Sequence, residues 1–211
     1  MTKQPDASPR VFDGDTLVVA THNPGKLREF HELFAPRGIT VKSAADLDLP
    51  EPEETEKTFS GNAVLKARAA ATASGHVCLA DDSGFAVNAL NGAPGVYSAR
   101  WAENPANVEK GRDFNYAMHK VHNEMKDKDD HSAGFVCVLA LAWPDGHTEV
   151  VQGDVTGQVV WPPRGENGFG YDPMFMPDGE TRTFGEMTSG EKQALSHRRR
   201  ALDALLATCF K

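Results

Sequence analysis

The chain has 211 residues, 40% of them hydrophobic and 25% charged, with a formal net charge of −8. These proportions are those of a globular protein large enough to bury its own core. The acidic balance argues against nucleic acid as a partner, because a phosphate backbone demands a basic face, while a few local cations could still hold a small anion. Cysteines stand only at 78, 137 and 209, without a CxxC pair. A sparse, odd count, with no secretion signal and no apolar run of membrane-spanning length, predicts a cytoplasmic protein with no membrane partner.

The polar residues 1–15 read as a flexible tail, and residues 16–211 as a single α/β domain. Residues 16–21 (TLVVAT) form a short buried strand, followed by a helix with Leu27, Phe30 and Phe34 on one face, ended by Pro36 and Gly38. A second strand covers 39–43, an acidic loop 46–56, and a second helix Phe59–Ser74, closed by Gly75. Residues 76–80 (HVCLA) are a third strand that runs into Asp81-Asp82-Ser83-Gly84, and residues 85–90 look strand-like again. A helix lies between 107 and 126. Residues 134–143 and 147–160 then flank Pro144-Asp145-Gly146 as a hairpin. A glycine-rich loop covers 165–173, and a C-terminal helix runs to about Cys209. Strand–helix alternation followed by a hairpin predicts an α/β fold on a mixed sheet.

Four stretches carry candidate chemistry. Thr21-His22-Asn23-Pro24-Gly25-Lys26 joins the first strand to the first helix, where free N–H groups and a lysine suit a phosphate; an ordinary capped turn explains it equally. In Asp81-Asp82-Ser83-Gly84, the two carboxylates should point to opposite faces of a strand, so that at most one enters a given cleft. Asp82 is the better placed to hold a hard cation, beside the Ser83 hydroxyl; the alternative is a strand-ending turn. Gly168-Phe169-Gly170-Tyr171-Asp172 offers close backbone approach and a flat ring on which a base could stack, or else a tight turn around a buried Phe. In Glu191–Arg198, Lys192 and His197 lie about 140° apart on a continuous helix. They converge only if the helix breaks near Ser196 and restarts there; spacing alone favours one basic amphipathic helix with a solvated face. Asn62 and Lys66 share a helical face that either meets phosphate or is solvated.

Six motifs in order, ATHNPGK, TFSGNAVLKA, ADDSG, GAPGVYSAR, GFGYDP and EKQALSHR, resemble those of the inosine triphosphate pyrophosphatase family. The resemblance implies an elongated α/β fold with two lobes around a substrate cleft, usually as a homodimer. It also implies magnesium-dependent hydrolysis of purine nucleoside triphosphates such as ITP, dITP and XTP to the monophosphate and pyrophosphate. By position, it makes Thr21–Lys26 the phosphate loop, with His22, Asn23, Pro24 and Gly25 in it and Lys26 also catalytic. Asp82 becomes the metal ligand and candidate base, Glu51 the second metal carboxylate with Glu53 and Glu54 competing, and Ser83 a substrate contact. Phe169, Gly170, Tyr171 and Asp172 become the base pocket, Lys192 its edge, and His197 and Arg198 the groups that address the base. Two positions depart from the family pattern: Glu56 stands where glycine is frequent, and Gly61 where glutamate is usual. Alternative readings are a general nucleoside triphosphate phosphatase and a nucleotide-binding regulator without chemistry.

Overall fold

A computed structural model describes residues 8–21 and 24–210. Six strands form one mixed sheet in the order β2-β1-β3-β4-β5-β6. β1 (Thr16–Val19) lies parallel to β2 (Thr40–Ser43) and to β3 (Cys78–Val87). β4 (Ser132–Ala142), β5 (Thr148–Val159) and β6 (Phe175–Pro177) follow antiparallel. Five α-helices flank the sheet: α1 (Pro24–Phe34), α2 (Phe59–Ser74), α3 (Phe114–Glu124), α4 (Ser189–Leu195) and α5 (His197–Cys209). None of the helices among the described residues is long and apolar enough to cross a membrane.

Local chemistry explains several of these boundaries. The Thr58 hydroxyl accepts from Gly61 N at 3.0 Å and starts α2, and Gly75 in the left-handed conformation ends it. Ser196 terminates α4 and accepts from Arg199 N at 3.2 Å as the N-cap of α5, so the continuous basic helix that spacing favours is broken there, which is the condition for Lys192 and His197 to converge.

The sheet is covered on both faces. On one, the alanines of α2 pack against Cys78, Ala80, Val138 and Ala140. The other carries two apolar clusters. One gathers Leu79, Cys137 and Leu139 with α1 and α5, and the second gathers Phe85, Val87 and Phe135 with α3, Tyr171 and Phe175. Between the two, the β3 positions on that face are Asp81 and Ser83. The interruption of an apolar face by an aspartate and a serine marks where the sheet meets something polar.

Two expectations need correction. β3 is one continuous strand through Asp81–Gly84, paired with β4 along its whole length, so this segment is no strand-ending turn. The described part of the expected tail is also anchored: Phe12 is buried and its N–H donates to Cys209 O at 2.7 Å, while Arg10 pairs with Asp145 at 2.5 Å.

Candidate functional site

β1 stops at Val19, opposite Leu79, whereas β3 continues to Val87. Beyond Leu79 the β1-side edge of β3 is bridged, among the described residues, only by Pro94 at Ala86. A cleft of about 450 Å³ lies across this open edge and is bordered by Asp81, Asp82, Ser83 and Phe85. The two aspartates do face opposite sides of the sheet, since Asp81 meets α1 and α5 while Asp82 meets α2. Yet both border one cleft, because no strand separates the faces there. The expectation that only one could do so fails for that reason.

On the α2 side, Asp82 Oδ2 accepts from Asn62 Nδ2 at 3.1 Å, and its Oδ1 accepts from Ser83 N at 3.0 Å. Lys66 Nζ donates to Glu54 Oε1 at 2.6 Å and lies 3.9 Å from Asp82 Oδ1. Asn62 and Lys66 are thus not a solvated face: Asn62 holds Asp82, and Lys66, bonded to Glu54, borders the cleft. Burial pushes the Asp82 carboxyl up to about 6 even though Lys66 and Asn62 pull it down. Glu51 and Glu54 border the same cleft. Among the described residues, no three carboxylate, histidine or cysteine side chains cluster closely enough to hold a metal by themselves.

The two departures from the family pattern meet in this corner. A Cβ at Gly61 would lie 2.7 Å from Glu56 Cβ and 2.9 Å from its Cγ. The stem of Glu56 therefore occupies the space that a side chain at 61 would need. Glu56 N in turn donates to Asn62 Oδ1 at 3.0 Å, which ties the acidic loop to the residue beside Asp82.

On the other face, Lys26 Nζ donates to Asp81 Oδ2 at 2.6 Å, and Arg198 Nη2 lies 3.8 Å from the same oxygen. Burial would raise the pKa of Asp81, but these two cations outweigh it and hold the carboxyl down at about 2. Arg198 also lies 3.6 Å from Glu29. His197 stacks on Phe135 with ring centroids 5.1 Å apart. Burial, then the charges of Arg198 and Lys192, lower its pKa to about 3, so the ring is neutral. His197 Nδ1 and Arg198 Nε are buried without a hydrogen-bond partner, atoms that ordinarily find one. Thr21 borders the cleft and is buried, whereas Gly25 borders an adjoining groove together with His197 and Arg198. His22, Asn23 and the Pro24 side chain lie outside the described residues.

The aromatic end of the cleft is built on two left-handed glycines, Gly168 and Gly170, with φ of 81° and 72°. Between them, the Phe169 ring is 70% exposed and rests edge-on against Phe114 at 4.7 Å. Asp172, fully buried, accepts from Phe169 N at 2.6 Å and pairs with Lys192. Burial raises the Asp172 pKa, with Lys192 opposing. Tyr171 is buried against Phe85, and its hydroxyl donates to Ser98 O at 2.9 Å. The Ser98 hydroxyl accepts from Phe85 N at 2.9 Å and so joins the aromatic loop to β3.

Thr21, Lys26, Glu51, Asp82 and Ser83 are thus brought to one cleft with Phe169–Asp172, Lys192, His197 and Arg198. Tyr171 and Asp172 are committed to internal bonds at its wall. Sequence reading missed Arg112, Phe114 and Phe135, which also border it. Phe135 sits in an apolar strand like any core residue, and Arg112 and Phe114 belong to no recognisable motif.

The model of the Ham1 family matches residues 17–208. A protein of Gluconobacter oxydans named dITP/XTP pyrophosphatase is 62% identical over 201 residues, covering 95% of this chain and 94% of its own. One of the same name from Rhodospirillum centenum is 57% identical, covering 96% and 98%. Among solved structures, a HAM1 protein from Coxiella burnetii aligns with a TM-score of 0.84 at 39% identity, over 91% of this chain and 96% of its own. A nucleoside-triphosphatase (dITP/XTP pyrophosphatase) from Mycobacterium abscessus aligns at 0.76 and 41% identity, over 90% and 98%.

Proposed function

The chain belongs to the Ham1 family, and from that membership and the cleft we propose that it hydrolyses deaminated purine nucleoside triphosphates, dITP, ITP and XTP, to the monophosphate and pyrophosphate. The observation that carries this reading is the polarity of one cleft. Around Asp81 and Asp82 it has Lys26, Arg198 and a buried carboxyl with a raised pKa, and in the Gly168–Gly170 loop it has an exposed aromatic ring. A triphosphate with a purine has the same polarity.

In this reading, residues 21–26 receive the phosphates, with Lys26 fixed by Asp81. Water attacks the α-phosphorus, the bond to the bridging α–β oxygen breaks, and pyrophosphate departs with the bonding electrons. Asp82 accepts the proton from that water, a role that suits a carboxyl whose pKa burial has raised to about 6. Ser83 lies beside it as a substrate contact. Phe169 stacks on the base, Lys192 holds the edge of the pocket through Asp172, and His197 and Arg198 address the base. Arg198 is a donor to the 6-oxo group of hypoxanthine and xanthine and is left unpaired against the amino group of adenine.

The donor set fits magnesium. Asp82, Glu51 and Glu54 present only hard oxygen atoms to one cleft, and the raised pKa of Asp82 is that of a carboxylate short of compensating positive charge. Asp82 and Glu51 would hold the ion, with Glu54 already engaged by Lys66 and the substrate phosphates completing the set. When bound, magnesium supplies neutralising charge to the phosphate oxygens and makes nearby water more acidic. The protein is read further as cytoplasmic, from its sparse, odd cysteine count, and as a homodimer, on the strength of the family resemblance.

The test is turnover of dITP, ITP and XTP against ATP and GTP, with and without magnesium, assaying pyrophosphate and orthophosphate separately. Pyrophosphate release confined to the deaminated purines is expected. Orthophosphate release would instead make the protein a general phosphatase, and binding without turnover a nucleotide sensor.

A further inference from the structure

β5 has a glycine where the first turn of α5 lies on the sheet. A Cβ on Gly153 would fall 2.3 Å from His197 O, 2.3 Å from Ala201 N and 2.9 Å from Arg200 C. All three are backbone atoms, so no side-chain rotation relieves the contact. Gly153 is not among the glycines at positive φ, so it is the closeness of the helix that excludes a side chain. Its partner across the β4–β5 ladder is Cys137. That small side chain is buried in the cluster that holds Ala201 and Leu202. Two small residues on adjacent strands therefore form a seat for the turn that begins with His197 and Arg198.

We propose that Gly153 is a positioning residue for base selection. By letting the backbone of α5 rest directly on β5, it sets the depth at which His197 and Arg198 enter the cleft. It touches neither substrate nor metal. The inference rests on the reading that these two side chains address the base. A methyl group at 153 would have to lift the turn by about 1 Å to regain ordinary contact distances, enough to turn a good hydrogen bond into a poor one. The phosphate end, built from Lys26 and Asp82 on other elements, would keep its geometry. The loss would therefore fall on ground-state recognition of the base rather than on the chemical step.

The experiment compares wild type with G153A, G157A and R198A by steady-state pyrophosphate release from dITP and dATP and by thermal melting. Gly157 is the control: it lies on the same strand, and a Cβ there would meet Met176 O at 2.2 Å and Pro177 Cα at 2.8 Å, a collision of like severity against β6. For G153A we expect KM for dITP to rise about tenfold with kcat within about threefold, and discrimination against dATP to fall about fivefold or more. G157A should melt earlier but keep wild-type KM and discrimination. Unchanged KM and discrimination in G153A would overturn the proposal, and so would an equal loss in G157A. Should G153A not fold, C137V, which adds bulk to the same seat from β4, carries the test, and wild-type discrimination in it would overturn the proposal. R198A separates the two levels: if it discriminates as wild type does, the base-contact reading fails, whatever Gly153 does.

Discussion

Asp81 and Asp82 are neighbours in β3, and their carboxyls are driven in opposite directions, one down to about 2 and the other up to about 6. Both are buried, so burial does not distinguish them. The difference lies in the partners. Asp81 has Lys26 at 2.6 Å and Arg198 at 3.8 Å, whereas Asp82 has Asn62, a Lys66 that is closer to Glu54, and the repulsion of Glu54 and Asp81. Two carboxyls whose environments separate their protonation divide the work between them, one as a permanent anion and one as a proton acceptor.

Asp82→Asn is expected to lower kcat by about a thousandfold or more, since it removes the proton acceptor and a metal ligand together. The same change should stabilise the metal-free protein. With a folded pKa above the unfolded value, Asp82 favours folding when protonated, and that contribution is lost as pH rises from about 4 through about 6. A neutral isostere avoids the loss, so thermal melting at pH 7.5 without metal should rise by about 5 °C. A lowered melting point would contradict the assignment of burial as the dominant influence on this residue.

Asp81→Asn should act in the opposite sense. It leaves Lys26 and Arg198 without their shared counter-charge and should cost about 3 kcal/mol at neutral pH. Because the folded pKa is depressed, the wild-type contribution is present above pH 4 and fades as pH falls toward 2. Urea titrations of both proteins at pH 7 and pH 3 would show the difference narrowing at the lower pH.

His197 is held neutral by burial and by neighbouring cations, with its pKa near 3. Discrimination between dITP and dGTP should therefore stay flat from pH 5.5 to 8, even as turnover follows Asp82. A step in the discrimination ratio near pH 6.5 would show that the imidazole takes up a proton after all.

Phe169→Ala should raise KM for dITP by about tenfold, the loss expected of one stacked base. It should leave thermal melting nearly unchanged, because the ring is mostly exposed. A large drop in melting temperature would make the ring a structural prop instead.

Glu56 and Gly61 should be coupled. Glu at 61 would stand three residues after Thr58, where it completes a capping box, but the stem of Glu56 fills that space. Gly61→Glu alone should cost about 1–3 kcal/mol by crowding. The double variant E56G/G61E should recover that stability, and an additive double-mutant cycle would refute the coupling.

What sequence reading could reach was set by how local the cause was. α2 was legible to the residue because a threonine starts it and a left-handed glycine ends it. The break at Ser196 was only half legible: cap chemistry allowed it, while the spacing suited one continuous basic helix equally well. β3 read as two strands, because Asp-Asp-Ser-Gly has the composition of a turn; ladder pairing with β4 overrides that local preference. β6 escaped notice because it is three residues long and ends in proline. In the site, residues within motifs were visible, while Arg112 and Phe114 arrive through tertiary folding alone. The bond of Asn62 to Asp82 and that of Lys66 to Glu54 were likewise invisible, since partners from different elements leave no mark on spacing.

The early end of β1 also bears on how such a catalyst can change. Because β3 outruns its neighbour, one backbone ribbon partitions the chemistry, with the proton acceptor supported from α2 and the clamp supported from α1 and α5. Substitutions in one layer can retune metal handling while the other keeps its grip on the nucleotide. Changes in the α1–α5 layer act first on Lys26 and Arg198 and reach Asp82 only through the charge of Asp81. The strand works as a bulkhead to side-chain contact that charge still crosses.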